Sequence, residues 1–294
     1  MKSSFFFAHG TNASRIRKIS KESNITTVCE DARCPNRGLC WENLSATFLL
    51  LGPFCTRSCR FCYVRKGKTQ PVNYETVDNF ASSLARLNLK YYTFTMVTRD
   101  DLPDHGARYL YILFSKIKEL NPACYIEVLI SDLGCSYDNL KIILYEKDLV
   151  DVLAHNVETV KRLTPVVRDR RFSYEGSLSV LSMAKQINSS VVTKSSIIVG
   201  LGEYEDEIYK TMDDLRSVDC DALTIGQYFR PSLKNMEVKK VYTEQEFKMM
   251  EDVAISKGFH FVKAGKNVRT SYKAYELIKL IQYRKGGFYG QSGV

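Results

Sequence analysis

Three closely spaced cysteines carry the clearest chemical signal in this chain of 294 residues. Cys55, Cys59 and Cys62 form the pattern CxxxCxxC, and the aromatic Phe61 precedes the last cysteine. A [4Fe–4S] cube is normally held by four thiolates, so three leave one iron open to bind and activate a molecule from solution. The spacing therefore predicts a catalytic iron–sulfur centre.

Zinc is the alternative, because cysteines two or three residues apart also bind zinc, usually as two pairs or mixed with histidine. No partner pair is visible near this triad. The four histidines, His9, His105, His155 and His260, are scattered, and none stands at a metal-ligand spacing from Cys62. The pattern favours an iron–sulfur cube over zinc or structural thiols.

A second cysteine triad lies upstream, with gaps of four and five residues between its members: Cys29, Cys34 and Cys40. It again offers three thiols and no fourth. The other cysteines are isolated, and we expect them to be buried as small apolar side chains. They are Cys124, Cys135 and Cys220.

The order of the two triads, CxxxxCxxxxxC and then CxxxCxxC, resembles the lipoyl synthase family within the radical S-adenosylmethionine (SAM) enzymes. Other segments match motifs of that family in the family's order: residues 31–36, 98–104, 155–159, 200–203, 226–228 and 269–272. The resemblance covers the chain from about Thr27 to Ala274.

Apolar runs that alternate with helix-period segments predict an α/β fold with a parallel sheet. Six runs have the composition of strands: residues 46–52, 91–97, 124–130, 150–155, 192–199 and 222–227. Amphipathic stripes predict helices near residues 77–87 and 208–218. The resemblance implies a partial (β/α)6 barrel of the TIM type, with terminal extensions that hold an auxiliary cluster.

We expect a single structural domain in three parts, since no Pro/Gly/Ser-rich linker interrupts the chain. Residues 1–45 form an N-terminal extension with the first cysteine triad, and residues 46–262 form the barrel. Residues 263–294 form a C-terminal extension with the motif Arg-Thr-Ser-Tyr.

Loops at the carboxyl ends of barrel strands carry the chemistry in such folds, and the CxxxCxxC loop follows the first predicted strand. The resemblance implies that SAM binds the open iron held by this loop. It also implies six residues that contact the cofactor: Phe61, Thr98, Asn156, Glu158, Lys194 and Glu203.

Four of these residues have a structural alternative. Residues 200–203 could form only a turn, and Asn156 and Glu158 could cap a following helix. Lys194, inside an apolar strand, could extend to solvent or pair with a barrel carboxylate. Arg99, Asp100 and Asp101, which follow Thr98 in the sequence, could form an ion-pair patch on the surface.

The resemblance supplies a fourth ligand for the upstream triad from residues 269–272. Ser271 retains the position of the serine whose oxygen binds the open iron in the family, and an oxygen ligand beside soft thiolates should be lost more readily. Thr270, which replaces the family's first serine, is the lesser candidate. A cap for the next helix is the alternative role of Ser271, and the usual N-terminal approach segment of the family is absent from residues 1–20.

The implied activity is insertion of two sulfur atoms at C6 and C8 of an octanoyl group on a lysine of a lipoyl carrier domain. Two [4Fe–4S] clusters and SAM are the implied cofactors. The Cys55/Cys59/Cys62 cluster cleaves SAM, and the resulting 5′-deoxyadenosyl radical removes a hydrogen atom. The auxiliary cluster at Cys29, Cys34 and Cys40 donates the sulfur. Another sulfur-inserting radical SAM enzyme is the alternative.

The net charge is +9, but the basic residues are interleaved with acidic ones and form no long block of one sign. We therefore expect no nucleic-acid partner. A positive surface would instead attract an acidic protein. The resemblance implies a carrier domain of the glycine-cleavage H protein or 2-oxoacid dehydrogenase E2 type. It also implies an electron donor such as ferredoxin or flavodoxin, and an iron–sulfur carrier that rebuilds the auxiliary cluster.

Clustered thiols without a secretory signal favour a reducing compartment, and the apolar runs are too short to span a membrane. Residues 1–21 are basic and rich in serine, with Lys2, Arg15, Arg17, Lys18 and Lys21, which mildly resembles an organelle transit peptide. We expect a cytoplasmic location, with mitochondrion or plastid as the alternative.

Overall fold

The computed structural model describes residues 11–23, 25–31, 34 and 36–286. His9, Lys2 and residues 32, 33 and 35 of the motif at 31–36 lie outside the described residues, as do residues 287–294 of the predicted C-terminal extension.

Parallel strands form one sheet whose order follows the chain, from β1 to β7. In the described part of the chain the strands are β1 (Thr47–Leu50), β2 (Tyr91–Met96), β3 (Tyr125–Leu129), β4 (Val152–Ala154), β5 (Val192–Val199), β6 (Ala222–Gln227) and β7 (Phe261–Gly265). All six predicted strands are confirmed, each within three residues at either end. The α/β fold and partial barrel expected from the sequence are therefore correct.

The seventh strand, β7, was not predicted. It pairs with β6 through Leu223 and Val262, but it is a short edge strand with only two buried residues. An edge strand exposes much of its length, so its apolar signal is weak. The predicted boundary between residues 262 and 263 falls inside β7, and the barrel continues to Gly265.

Helices surround the sheet and follow most of its strands. Within the described ranges they are α1 (Thr11–Glu22), α2 (Val28–Asp31), α3 (Arg37–Glu42), α4 (Val77–Ala85), α5 (Ala107–Leu120), α6 (Tyr137–Leu144), α7 (Thr164–Val167), α8 (Tyr174–Ile187), α9 (Glu205–Ser217), α10 (Glu244–Ser256) and α11 (Ile278–Arg284). The two predicted amphipathic helices are α4 and α9. Val77 and Leu84 of α4, and Ile208 and Leu215 of α9, are buried as their spacing requires.

Residues 274–286 cover the amino end of the barrel. Leu277, Leu280 and Ile281 pack in one apolar cluster with the first residues of four strands, Tyr91, Val152, Val192 and Ala222. Arg284 forms an ion pair with the fully buried Asp221, and Lys285 Nζ lies 2.6 Å from Asp151 Oδ1. With the amino end covered, the carboxyl end remains for the functional site.

The N-terminal extension is attached to the edge strand β1. The amide of Leu49 donates to Thr26 O at 2.9 Å, and Thr27 forms an antiparallel bridge to Phe48. These bonds place α2, which carries Cys29, beside β1. No helix in the described ranges combines the length and the apolarity needed to cross a lipid bilayer.

Candidate active site

The loop after β1 holds Cys55, Cys59 and Cys62 at the carboxyl end of the barrel. Backbone amides donate to the sulfur atoms, from Arg57 N to Cys55 Sγ at 3.4 Å and from Asp169 N to Cys59 Sγ at 3.3 Å. Burial raises the pKa of the Cys62 thiol to about 12, while the amide of Val64 opposes that rise. Amide donors favour the anionic sulfur that an iron ligand requires, so the three thiols suit a cube.

Arg57, inside the cysteine loop, anchors that loop to the barrel. Its buried guanidinium donates twice to Asp100 Oδ1, at 2.7 and 3.1 Å, and Nη1 donates to Asp132 Oδ2 at 2.5 Å. Asp100 follows β2 and Asp132 follows β3. The Phe172 ring packs 4.0 Å from the guanidinium carbon. Loops from two other strands thus fix the cysteine loop.

Asp169 makes a second clamp from the segment after α7. Its Oδ2 accepts from Ser58 N at 2.8 Å, in the middle of the cysteine loop, and Oδ1 accepts from Arg171 Nε at 2.8 Å. The hydrogen bond from Arg171 holds the pKa of the Asp169 carboxyl well below its usual range. Asn235, after β6, closes the other side by donating to Cys62 O at 3.1 Å.

Arg168 places a buried positive charge near Cys59. Burial lowers the pKa of its guanidinium, and the neighbouring Glu158 and Cys59 oppose that effect. Nη1 donates to Ser177 Oγ at 2.6 Å, whereas Nε has no hydrogen-bond partner among the described residues. A cation here favours negative charge on a cluster ligated by three thiolates.

Asn156 and Glu158 follow β4 and form one polar group. Asn156 Nδ2 donates to Glu158 Oε1 at 3.1 Å and to Thr270 Oγ1 at 3.0 Å. Asn156 Oδ1 is buried and has no partner within the described part of the chain. Burial raises the pKa of the Glu158 carboxyl, and Arg168 opposes this. Neither side chain caps a helix of the described part of the chain, and the free amide oxygen could accept a hydrogen bond from a ligand.

The upstream triad lines a separate pocket of about 300 Å³, part of it open to solvent. Its walls include Cys29, Cys34, Cys40 and, from the loop after β7, Arg269 and Ser271. Burial raises the pKa of Cys29, and also that of Cys40 to about 12, and the three sulfur atoms repel one another's charge. The triad and Ser271, 231 or more residues apart in sequence, therefore meet in space.

Ser271 is held in this pocket by β1. Thr47 Oγ1 donates to Ser271 Oγ at 2.9 Å, so the serine side chain faces the triad rather than the helix that follows. The residue before that helical segment is Lys273, whose side chain makes no cap. Three thiols and one hydroxyl form the donor set that the sequence predicts for an auxiliary cube. Within the described residues, no three Cys, His, Asp or Glu groups converge as ligands of one metal ion, but the ligands of a cube bind separate irons.

The other predicted cofactor residues are placed as follows. Thr98 lies two residues after β2, beside the cysteine loop, where its carbonyl accepts from Thr56 N at 3.1 Å. Phe61 is partly buried against the apolar cluster around β5 and β6. Both oxygens of Glu203 accept hydrogen bonds within its own loop, from Gly200 N and Leu201 N, and Tyr242 Oη adds a third.

Lys194 lies in the amino-terminal half of β5, away from the mouth of the barrel. Its ammonium pairs with Glu127 at 2.8 Å, both side chains are fully buried, and Tyr91 Oη donates to the same carboxylate at 2.6 Å. Lys194 thus has the barrel carboxylate partner that was the alternative to a cofactor contact. Arg99 is buried, not part of a surface patch, and it binds Asp101 at 2.8 Å.

The isolated cysteines differ in burial. Cys124 and Cys220 are buried, as expected from the sequence. The expectation is wrong for Cys135, which is exposed in the turn before α6.

The sequence reasoning missed four residues that build the site: Arg57, Arg168, Asp169 and Asn235. Arg57 was detectable because it lies inside the CxxxCxxC motif. Arg168 and Asp169 were also detectable, because they belong to a charged run at residues 168–171 that follows an apolar helix. Asn235 carries no such signal, because only the fold brings it to Cys62.

Comparison with known proteins agrees with this geometry. A family model described as the radical SAM superfamily matches residues 49–215. The fold resembles that of methylornithine synthase, with a TM-score of 0.54 and 14% sequence identity over 82% of each chain. It also resembles a maturase of [FeFe]-hydrogenase, with a TM-score of 0.56 and 12% identity over 81% of this chain and 62% of the other. The fold and the cysteine loop define a radical SAM enzyme.

Closer relatives narrow the class. The lipoyl synthase of Sulfolobus acidocaldarius is 46% identical over 276 residues, 94% of each chain. That of Staphylococcus aureus is 45% identical over 268 residues, 91% of this chain and 87% of the relative. The chain belongs to the lipoyl synthase family, as the order of its cysteine triads predicted.

Proposed function

We propose that this enzyme inserts two sulfur atoms at C6 and C8 of an octanoyl group on a lysine of a lipoyl carrier domain. The observation that carries the proposal is the pocket in which Cys29, Cys34 and Cys40 meet Ser271. SAM cleavage needs one cluster, the one at the Cys55/Cys59/Cys62 loop. A second three-thiol site completed by a hydroxyl supplies what sulfur insertion needs in addition.

The cluster bound by Cys55, Cys59 and Cys62 would supply the electron that cleaves SAM. The chain itself binds and orients the cofactor. Asn156 offers its free buried Oδ1 as an acceptor, and the Glu158 carboxylate lies beside it. The Arg57 and Asp169 clamps fix the cysteine loop, so that the reacting atoms are positioned.

The auxiliary cluster is the sulfur substrate in this proposal. Two SAM molecules, each cleaved with one electron from a donor such as ferredoxin or flavodoxin, remove two hydrogen atoms from the octanoyl chain. Each carbon radical would then bond to one sulfide of the auxiliary cluster while a ferric ion of that cluster takes up the electron released, and the two sulfur atoms would leave the cluster for C6 and C8. Ser271 Oγ is the weakest of the four ligands, since oxygen is harder than thiolate, and its release would open that cluster.

The proposed partners follow from the substrate. The octanoyl lysine is presented by a carrier of the glycine-cleavage H protein or 2-oxoacid dehydrogenase E2 type. The net charge of +9 would attract an acidic carrier. An iron–sulfur carrier protein rebuilds the auxiliary cluster between turnovers. A cytoplasmic location stays a prediction.

The test uses protein reconstituted anaerobically and an octanoyl-lysyl peptide with SAM and a reductant. We expect about eight irons per chain and conversion to the lipoyl peptide, measured by mass spectrometry. Alanine at Cys29, Cys34 or Cys40 should leave SAM cleavage but stop sulfur insertion, whereas alanine at Cys55, Cys59 or Cys62 should stop both.

Cys135→Ala is the matched control, because Cys135 is exposed and outside both triads. It should behave as the wild type. An iron content of four or fewer in the wild type, or sulfur insertion that survives loss of the upstream triad, would rule out the proposal.

A further inference from the structure

Thr270 and Ser271 are consecutive residues whose side chains contact different sites. Ser271 Oγ accepts from Thr47 Oγ1 in the auxiliary pocket. Thr270 Oγ1 accepts from Asn156 Nδ2 at 3.0 Å, next to Glu158. One short stretch of backbone therefore connects the proposed sulfur-donor site with the proposed SAM site.

Thr270 and Ser271 cannot move independently of each other. Tyr272 N donates to Arg269 O at 2.8 Å, which closes a tight turn around Thr270 and Ser271. At Gly226 of β6, a Cβ atom would lie only 2.2 Å from Val268 O, so the loop packs directly on the strand backbone. A displacement of Ser271 must therefore be passed to Thr270.

A displacement of Thr270 would change the hydrogen bonds that orient Asn156. Nδ2 uses its two hydrogens on Glu158 and Thr270, which leaves Oδ1 as the buried acceptor without a partner in the described residues. Without the Thr270 hydroxyl, one of the two contacts that fix the amide is lost, and the side chain can rotate away from the ligand.

On the basis of the proposed function, we propose that Thr270 is a positioning residue that couples the two sites. An auxiliary cluster bound through Ser271 fixes the loop, and Thr270 then holds Asn156 in the orientation that binds SAM. Loss of that cluster frees the loop and weakens SAM binding. The enzyme thus binds SAM best when its sulfur donor is present, and by linkage SAM favours the loaded auxiliary site.

The test measures the SAM dissociation constant by equilibrium dialysis in two backgrounds. One is the protein with both clusters, and the other carries alanine at Cys29, Cys34 and Cys40 and retains only the radical cluster. A neutral hydrogen bond is worth about fivefold in a binding constant. The wild type should bind SAM about fivefold more tightly with both clusters, and Thr270→Val should show the weaker affinity in both backgrounds.

Two variants separate positioning from a general structural effect. Thr270→Ser keeps the hydroxyl and should restore the difference between backgrounds. Thr224→Val is the matched control, because Thr224 is fully buried on β6 and its hydroxyl has no partner among the described residues. It should retain the wild-type difference.

Equal SAM affinity in the two wild-type backgrounds would overturn the inference, as would a difference that persists in Thr270→Val. If Thr270→Val fails to assemble its clusters, Thr270→Ala replaces it, because it also lacks the hydroxyl that accepts from Asn156. That variant should show the weaker SAM affinity in both backgrounds, and a full difference there would overturn the inference. A wild type that makes lipoyl peptide but shows no coupling defeats this inference alone, whereas one that makes no product defeats the proposed function.

Discussion

Thr47 Oγ1 and Ser271 Oγ lie 2.9 Å apart, although 224 positions separate the two residues in the chain. Thr47 begins β1 and Ser271 follows β7, and these strands are the two edges of the sheet. The hydrogen bond therefore joins the open edges of the partial barrel at the place where the N-terminal triad sits. It explains how a C-terminal loop can complete a site built by an N-terminal extension.

Removal of the Ser271 hydroxyl should deplete the auxiliary site. We expect Ser271→Ala to lose iron from the auxiliary cluster and to lose lipoyl formation, while SAM cleavage by the other cluster continues. Ser45 lines the same pocket and is the matched control. Ser45→Ala should retain the iron, measured by Mössbauer spectroscopy. Loss of iron in Ser45→Ala but not in Ser271→Ala would assign the fourth ligand to Ser45.

The Arg57 clamp should be necessary for the radical cluster. Arg57→Met leaves the buried Asp132 without its cation, and breaking a buried pair in this way costs about 3–5 kcal/mol. We expect the variant to lose the irons of the Cys55/Cys59/Cys62 site and with them SAM cleavage, as measured by iron content and 5′-deoxyadenosine formation. Arg65→Met, an exposed arginine just after the same motif, should retain both, and equal losses in the two variants would contradict the role of the clamp.

The Lys194–Glu127 pair should act on stability and not on cofactor binding. Lys194→Met leaves a fully buried carboxylate unpaired, at about 3–5 kcal/mol. The double variant Lys194→Met with Glu127→Gln removes both charges and should recover most of that loss, as followed by the urea midpoint. SAM affinity of the double variant should equal that of the wild type. A large loss of SAM affinity would instead restore the cofactor contact expected from the sequence.

His155 should make stability depend on pH. Burial, aided by the charge of Arg168, lowers the pKa of His155 to about 4 from an ordinary value near 6.5. Between pH 4 and pH 6.5, His155 is therefore protonated in the unfolded chain but neutral in the native state. Stability contributed by the neutral imidazole is complete above pH 6.5 and falls as pH drops, by at most about 1.4 kcal/mol per pH unit.

Substitution of His155 provides the check on that slope. The urea concentration at the unfolding midpoint of the wild type should decrease as the pH is lowered from 7 to 5. The decrease should be smaller in His155→Gln, because the titrating group is gone. An unchanged slope in His155→Gln would assign the pH dependence to another group.

The sequence by itself determined the two cysteine triads, the order of βα units and the loops that carry the site. Thiol spacing and apolar runs are local properties, so they can be recognised from the sequence without knowledge of the fold. The same holds for the family, because its motifs follow one another along the chain. Even Ser271 could be proposed in this way, though only through the resemblance of residues 269–272 to a family motif.

Only the tertiary structure decided which residues meet. It brought Ser271 to Thr47, Asn235 to Cys62 and Thr270 to Asn156 across long separations in sequence. It also gave Lys194 a buried carboxylate as its partner. The physical reason is that hydrogen bonds and the cost of burying a charge depend on which groups the folded chain places together. A residue's own neighbours in the sequence do not contain that information.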